Sequence, residues 1–441
     1  MCGIAEVLHH LGYQVSGSDL LASSVTQRLE KLGIEVFIGH NATQVEKAEM
    51  VVVSSAVQTD NPEVVYARSH QIPVMPRAQM LAELMRLRTG IAVAGTHGKT
   101  TTTSLISSIF AMANLDPTFV IGGCLKHMDS NASLGRSDYF IAEADESDAS
   151  FLHLHPQLAV VTNIDADHMA TYQHDMLRLE QAFVDFLQLL PFDGYAVLCG
   201  DDDNIQRILP TLTRRYVTYG FTSDCHFCVS NFEQVGRTSY FQVTWDDAKH
   251  AGFSLPLFGR HNVLNAAAAI AMALMCQIEL ATIQKALASF HGIARRSEWR
   301  GDFAGHPLFD DYGHHPCEIN ATLQGLRAAY PGQRLFWFYQ PHRYTRTAQL
   351  FEDLVNELAR VDQLVLFDIY PAGEPAIAGI DSEHLAQAIT AKGGHVVLVS
   401  NFDEALQYLL NILQLGDVIV TQGAGSIAKL PEKIERKLLH E

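Results

Sequence analysis

The chain has 441 residues, too many for one ordinary hydrophobic core, so about two to four domains are expected from length alone. Apolar residues make up 48% and charged residues 18%, the balance of a water-soluble globular protein, and the formal net charge of −18 argues against nucleic acid or an anionic membrane surface as the main partner. No apolar run approaches the roughly 18 residues of a membrane span, and no basic segment followed by an apolar core and cleavage site opens the chain, so a cytoplasmic protein without membrane insertion is expected.

Seven scattered cysteines do not make a disulfide framework, and the lone Cys225-x-x-Cys228 pair lacks a second pair at zinc spacing, so both read as structural thiols. In chain order, the patterning predicts a helix over Gly3–Leu11, a strand over Gln14–Ser18, a helix over Val25–Leu32, and strands over Glu35–Ile38 and Met50–Ser54. Pro73 and Pro76 punctuate the next stretch, and a helix over Ala78–Leu87 runs into the Arg88-Thr89-Gly90 break. A second block then opens with an apolar strand at Ile91–Ala94. Further strands are expected at Tyr139–Glu143 and Leu158–Asn163, and helices over Leu177–Leu190 and the alanine-rich Asn262–Met275, with an antiparallel excursion over residues 224–257. After a break near Gly292–Arg296, strands over Leu335–Tyr339, Gln363–Phe367, Val396–Val399 and Val418–Thr421 alternate with helices. Alternating helices and strands favour parallel α/β sheets, in three domains at 1–89, 90–294 and 295–441.

The most informative stretch is Gly95-Thr96-His97-Gly98-Lys99-Thr100-Thr101, between a strand and a helix. Gly95 and Gly98 let the backbone turn its N–H groups onto a phosphate chain. Lys99 supplies charge to the outer phosphates, Thr100 offers a hydroxyl to Mg²⁺, and the helix N-terminus adds its positive end. The glycine that the longer phosphate-loop pattern places at 93 is Val93 here. ATP binding is the expectation.

Acidic residues follow the next strand in Glu143-Ala144-Asp145-Glu146-Ser147-Asp148, at the sheet edge where ligands bind, and Glu143, nearest the strand, is the preferred Mg²⁺ ligand. Asn163-Ile164-Asp165-Ala166-Asp167-His168 repeats the arrangement one strand later; His168 is either functional or a surface histidine. His261 and Asn265 lie four apart on one helix face, where an amide could read an adenine edge, while Asn262 can simply cap the helix. Later, Asp310-Asp311-Tyr312-Gly313-His314-His315-Pro316 and Gln340-Pro341-His342-Arg343-Tyr344-Thr345-Arg346 follow apolar runs, with Arg343 and Arg346 positioned to grip a carboxylate or phosphate.

Together and in this order, Gly-Thr-His-Gly-Lys-Thr-Thr-Thr-Thr, Glu-Ala-Asp-Glu-Ser-Asp, Gly-Arg-His-Asn-x-x-Asn, Asp-Asp-Tyr-Gly-His-His-Pro and Gln-Pro-His-Arg-Tyr-Thr-Arg resemble the Mur ligases of peptidoglycan synthesis. The resemblance implies a Rossmann-like UDP-binding N-terminal domain, a central P-loop ATPase-like domain and a C-terminal Rossmann-like domain for the amino acid. It also implies ATP and Mg²⁺ as cofactors, UDP-N-acetylmuramate and L-alanine as substrates, and a reaction through an acyl phosphate. By the same resemblance Lys99, Glu143, His168, His314, His342, Arg343 and Arg346 are catalytic, with His168 in a second metal site beside Thr100 and Glu143. His261, Asn265, Arg296 and Asp311 join the loop as ATP contacts; Tyr312 and Arg346 hold the amino acid; Asp19, His40, Ser54, Ser55 and Arg77 contact the UDP-sugar. In Mur ligases a strand and a glycine-rich diphosphate loop precede the stretch that here reads Met1–Glu6, so by this resemblance a first domain without that strand and loop is expected.

Overall fold

The computed structural model describes residues 1–54, 56–125, 130–246 and 249–439; Ser55, one of the expected UDP-sugar contacts, lies outside the described residues. The chain divides into two compact units. One comprises residues 1–230, 242–253 and 264–290, the other residues 231–241, 254–263 and 291–441.

The first unit opens with helix α1 (Cys2–His10), then β1 (Ser16–Asp19), α2 (Ser24–Lys31), β2 (Glu35–Ile38), β3 (Val51–Val53), α3 (Pro62–Ser69), β4 (Val74–Pro76) and α4 (Arg77–Arg86). Local chemistry sets these boundaries: Ser23 caps α2 by accepting from the Thr26 N–H, and Asn61 caps α3 with Pro62 in its first turn. The helix α3 and strand β4 have weak patterns and are absent from the sequence expectation. The four strands form two separate parallel pairs, β1 with β2 and β3 with β4, rather than one sheet.

Then come β5 (Thr89–Ala94), α5 (Lys99–Met112), β6 (Thr118–Leu125), β7 (Ser130–Ser133), β8 (Tyr139–Glu143), β9 (Leu158–Val161), α6 (Met176–Gln188), β10 (Tyr195–Cys199), α7 (Asp203–Ile208), β11 (Arg215–Gly220), β12 (Phe227–Val235), β13 (Thr238–Trp245), β14 (Lys249–Leu255), α8 (Arg260–Met275) and α9 (Leu280–Ala288). The sheet order is β14-β13-β12-β11-β10-β9-β5-β8-β6-β7. Ile91 to Ala94 are completely buried because β5 is central and parallel to both β8 and β9, and a parallel strand covered on both faces needs a continuous apolar run. The chain leaves β5 toward β6 and β8 on one side and toward β9 and β10 on the other, so the loop after β5 sits where the strand order reverses. The expected antiparallel excursion is β12 to β14, where two residues between β12 and β13 permit only a hairpin.

The second unit continues with β15 (Glu298–Phe303), β16 (His306–Asp311), α10 (Pro316–Ala329), β17 (Leu335–Tyr339), α11 (Tyr344–Gln349), α12 (Phe351–Leu358), β18 (Gln363–Phe367), α13 (Ser382–Ala391), β19 (Val396–Val399), α14 (Phe402–Ile412), β20 (Val418–Gln422) and α15 (Leu430–Leu439). Its sheet runs β15-β16-β20-β17-β18-β19, with β15 antiparallel and the rest parallel. Alternation along β17 builds two cores: Trp337 and Tyr339 pack with α10, α12 and α13, and Phe336 and Phe338 with α14 and α15. Insertion of β20 between β16 and β17 places the ends of those two strands at a reversal of strand order. Among the described residues, no helix is long and apolar enough to cross a membrane.

Candidate functional site

In the first unit the loop after β5 has the shape of a phosphate cradle. Gly95 has φ of +127° and Gly98 of +83°, backbone that side chains rarely adopt. A Cβ at Gly95 would collide with the Thr162 hydroxyl and stand 3.0 Å from the Asn163 carbonyl oxygen, so the glycine also answers to a close neighbour. That neighbour is the turn after β9. Its Asn163 carbonyl accepts from the Thr96 N–H at 3.2 Å and its side chain accepts from the His97 N–H at 2.8 Å. The Asp165 carboxylate lies 3.0 Å from the His97 ring, and Thr162 donates to the His97 carbonyl at 2.6 Å.

Helix α5 starts at Lys99, directing its first-turn N–H groups toward the loop, and Thr100 and Thr101 of that turn are buried. Lys99 Nζ donates to the Gly95 carbonyl at 2.6 Å, the Thr96 carbonyl at 3.1 Å and Glu146 Oε2 at 2.7 Å. Burial pulls this ammonium down, but Glu146, with Asp145 and Glu143, more than offsets it, so Lys99 stands above the ordinary lysine value and stays charged. Asn265 reaches the same loop: it accepts from Thr102 Oγ1 at 3.2 Å, and its Oδ1 would lie 2.5 Å from a Cβ at Gly98.

Glu143 ends β8, beside Val93 of β5, and accepts from the Gly122 N–H at 2.8 Å. His168 follows β9 at φ of +53°, with Nε2 3.4 Å from Asp167 Oδ2. The Thr100 hydroxyl and the Glu143 carboxylate are hard oxygen donors of the kind Mg²⁺ takes; the His168 nitrogen suits that ion only in company with oxygens such as those of Asp167.

Asp19, His40 and Ser54 stand at or just beyond the C-terminal ends of β1, β2 and β3. His40 Nδ1 lies 3.0 Å from the Ser18 hydroxyl, which donates to Glu63 at 2.8 Å. Arg77 begins α4 and reaches Asp145 at 3.8 Å.

In the second unit His261 is buried; desolvation lowers its pKa, with Asp311 and Glu318 opposing. Asp311 ends β16 and accepts from the N–H groups of Ser297 and Gly313, both at 2.7 Å, and from Gln422 at 2.9 Å, so its carboxylate braces the surrounding loops. Arg296 pairs with Glu318 at 3.3 Å and lies 5.0 Å from the Tyr312 ring centroid. The ring of His314 stands 5.6 Å from Tyr312 and 5.8 Å from His342.

His342 in turn stacks on Tyr370 at 5.6 Å with planes 10° apart, and Arg346 Nη1 lies 3.4 Å from its Nδ1. Burial, together with His314, Arg346 and Arg343, pushes His342 down to about 4. Arg343 holds φ of +69°, strained for a side-chain-bearing residue, pinned by its N–H to the Tyr370 carbonyl at 2.8 Å and by Glu374 at 3.7 Å. Burial would raise Glu374, but the Thr345 N–H and hydroxyl and then Arg343 hold it below the usual carboxylate range.

The structure therefore gathers Gly95 to Thr101 with Asn265, Glu143 and His168 at one set of strand ends, and Tyr312, His314, His342, Arg343 and Arg346 at another. Residues missed by the sequence reading are the second row: Thr162, Asn163 and Asp165 behind the loop, Glu146 on Lys99, Ser18 and Glu63 on His40, and Tyr370 and Glu374 on the arginine turn. Asn163, Asp165 and Glu146 stood inside motifs already singled out. Tyr370 and Glu374 carried no local signal, because a loop after β18 brings them in. Cys225 is pushed up to about 11 by burial, which keeps it a protonated thiol.

The fold and its phosphate-loop turn define a P-loop-like α/β protein with a second, Rossmann-like unit. Three Mur ligase family models match in succession: the Mur ligase family, catalytic domain over residues 1–89, the Mur ligase middle domain over 93–273, and the Mur ligase, glutamate ligase domain over 295–425. The chain is 52% identical over 440 residues to UDP-N-acetylmuramate--L-alanine ligase of Burkholderia mallei (strain SAVP1), covering 98% of this chain and 95% of that protein. Among solved structures it is similar to the UDP-N-acetylmuramate-alanine ligase MurC of Thermotoga maritima, with a TM-score of 0.85, 25% identity and coverage of 99% and 96%. A murein peptide ligase of Psychrobacter arcticus 273-4 matches with a TM-score of 0.73, 24% identity and coverage of 100% and 96%. The chain belongs to the Mur ligase family.

Proposed function

We propose that this chain is an ATP- and Mg²⁺-dependent ligase that joins L-alanine to the lactyl carboxylate of UDP-N-acetylmuramate in the cytoplasm, releasing ADP and phosphate. The observation that carries the reading is 52% identity to a ligase of that name along 440 residues, with the expected motifs falling at strand ends. Residues 1–89 hold the UDP-sugar through Asp19, His40, Ser54, Ser55 and Arg77, residues 90–294 the ATP, and residues 295–441 the amino acid.

In the reaction, a lactyl carboxylate oxygen takes the γ-phosphoryl group of ATP, turning a poor leaving oxygen into a good one. The alanine amine then attacks the carbonyl carbon and phosphate departs. Lys99, charged by virtue of its acidic neighbours, and the N–H groups of the loop and of α5 face the charge that spreads over the transferred phosphoryl oxygens. Thr100 and Glu143 would hold Mg²⁺, which when bound neutralises phosphate charge; His168 would join a second ion. Asn265, beside the loop, is assigned to the nucleotide, as are His261, Arg296 and Asp311 by resemblance to the family; Asp311 braces the turns of Ser297 and Gly313 in its own unit. Arg343 and Arg346 grip the alanine carboxylate, with Tyr312 and His314 beside them. His342, held neutral by burial and its cationic neighbours, is poised to accept a hydrogen bond from the ammonium.

A phosphate-release assay tests this reading: turnover should require ATP, UDP-N-acetylmuramate and L-alanine together. Turnover supported by a murein peptide in place of L-alanine, or ATP hydrolysis without the sugar nucleotide, would overturn it.

A further inference from the structure

The ammonium of Lys99 has three N–H donors, and all three end inside the protein, on Gly95, Thr96 and Glu146. The first two partners belong to the loop itself. Glu146 comes from the segment after β8, where its backbone carbonyl is fixed by the Tyr172 hydroxyl and by the Ala149 N–H at 3.0 Å. Its side chain is 3% exposed against 17% for that of Lys99, so the pair lies out of bulk solvent. A buried carboxylate without a cation is costly, so Glu146 depends on Lys99 as its counter-charge. A phosphate oxygen entering the loop needs an N–H of the same ammonium, and Glu146 is the partner that carries matching negative charge.

We propose that Glu146 is a positioning residue that stands in for a phosphate oxygen on Lys99 in the nucleotide-free loop and is displaced when a nucleotide arrives, setting nucleotide affinity through that lysine. The inference rests on the reading of residues 95–101 as the phosphate site. One carboxylate–ammonium contact is exchanged for one phosphate–ammonium contact, so the loop keeps its shape and Lys99 keeps its charge. The exchange also means that nucleotide binding works against the ion pair, whose re-formation favours release of ADP after turnover.

Calorimetric titration of Mg²⁺-free ADP into the full-length protein, Glu146→Gln, Lys99→Met and the double variant tests the proposal. Glu146→Gln keeps the shape and removes the competing charge, so ADP should bind about tenfold more tightly. Lys99→Met should weaken ADP about tenfold or more, and in its background the Gln substitution should change affinity less than about twofold. Should Glu146→Gln not fold, Glu146→Asp, one methylene shorter, replaces it and should bind ADP at least about twofold more tightly than the parent. Unchanged or weaker ADP binding in Glu146→Gln, or in Glu146→Asp where that variant replaces it, refutes the proposal, as does an equal gain with and without the lysine. If Lys99→Met leaves ADP binding untouched, the phosphate-site reading falls with it; a loss there without a gain in the Glu146 variant sinks the Glu146 proposal alone.

Discussion

Replacing Gly95 by Ala puts the first unit under a load that can be worked out from its geometry. At φ of +127° an L-residue is strained by about 1–3 kcal/mol before any contact is considered. The new methyl would also meet the Thr162 hydroxyl and press on the backbone of Thr162 and Asn163, each at 3.0 Å. Thr162 is β-branched and stiff, and the one proton of its hydroxyl is shared between the carbonyls of His97 at 2.6 Å and Ala94 at 3.3 Å. Turning it away forfeits that bond, about 1 kcal/mol. The total is about 2–4 kcal/mol, which lowers the melting temperature on the order of 10 °C for a unit of this size. Scanning calorimetry, with ADP titration as the second readout, should show both a lower transition and loss of nucleotide affinity.

Gly98→Ala provides the comparison, since there the obstacle is the movable end of the Asn265 side chain and the stability loss should be smaller. Thr162→Ala added to Gly95→Ala should recover part of the loss by removing the hydroxyl. A Gly95→Ala protein that melts and binds ADP like the parent would refute the account of the loop as a tight, neighbour-limited cradle.

Two further outcomes are expected. His342 drops from 6.5 to about 4 on folding, so the unfolded chain binds the proton better; stability is complete above about pH 6.5 and falls as the pH drops from 6.5 toward 4. The full drop corresponds to about 3 kcal/mol and, discounted for partial exposure, to about 1–2 kcal/mol. Urea midpoints at pH 7.5 and 5 should therefore converge in His342→Asn relative to the parent; an identical pH dependence in both contradicts the cause assigned. Glu374→Gln removes the charge that helps pin Arg343 and should raise the L-alanine KM about tenfold while leaving the ATP KM in place. An unmoved alanine KM in steady-state assays would show that Arg343 holds its strained turn without Glu374.

The order of apolar runs, turns and acidic strand ends, together with the five motifs, determined the α/β class and the Mur ligase family and singled out the candidate site residues. Those signals are local, as with Gly95, Gly98 and Lys99, which lie within one turn and carry their chemistry in their spacing. Tertiary structure decided what stands behind them. Thr162 and Asp165 shape the loop because β9 pairs with β5, and Glu146 meets Lys99 because β8 flanks β5 on the other side. Likewise Tyr370 and Glu374 brace His342 and Arg343 because β18 runs parallel beside β17. Adjacency between strands distant in sequence leaves no periodic trace in the chain, so the residues that tune the charged groups became legible only once the sheets were assembled.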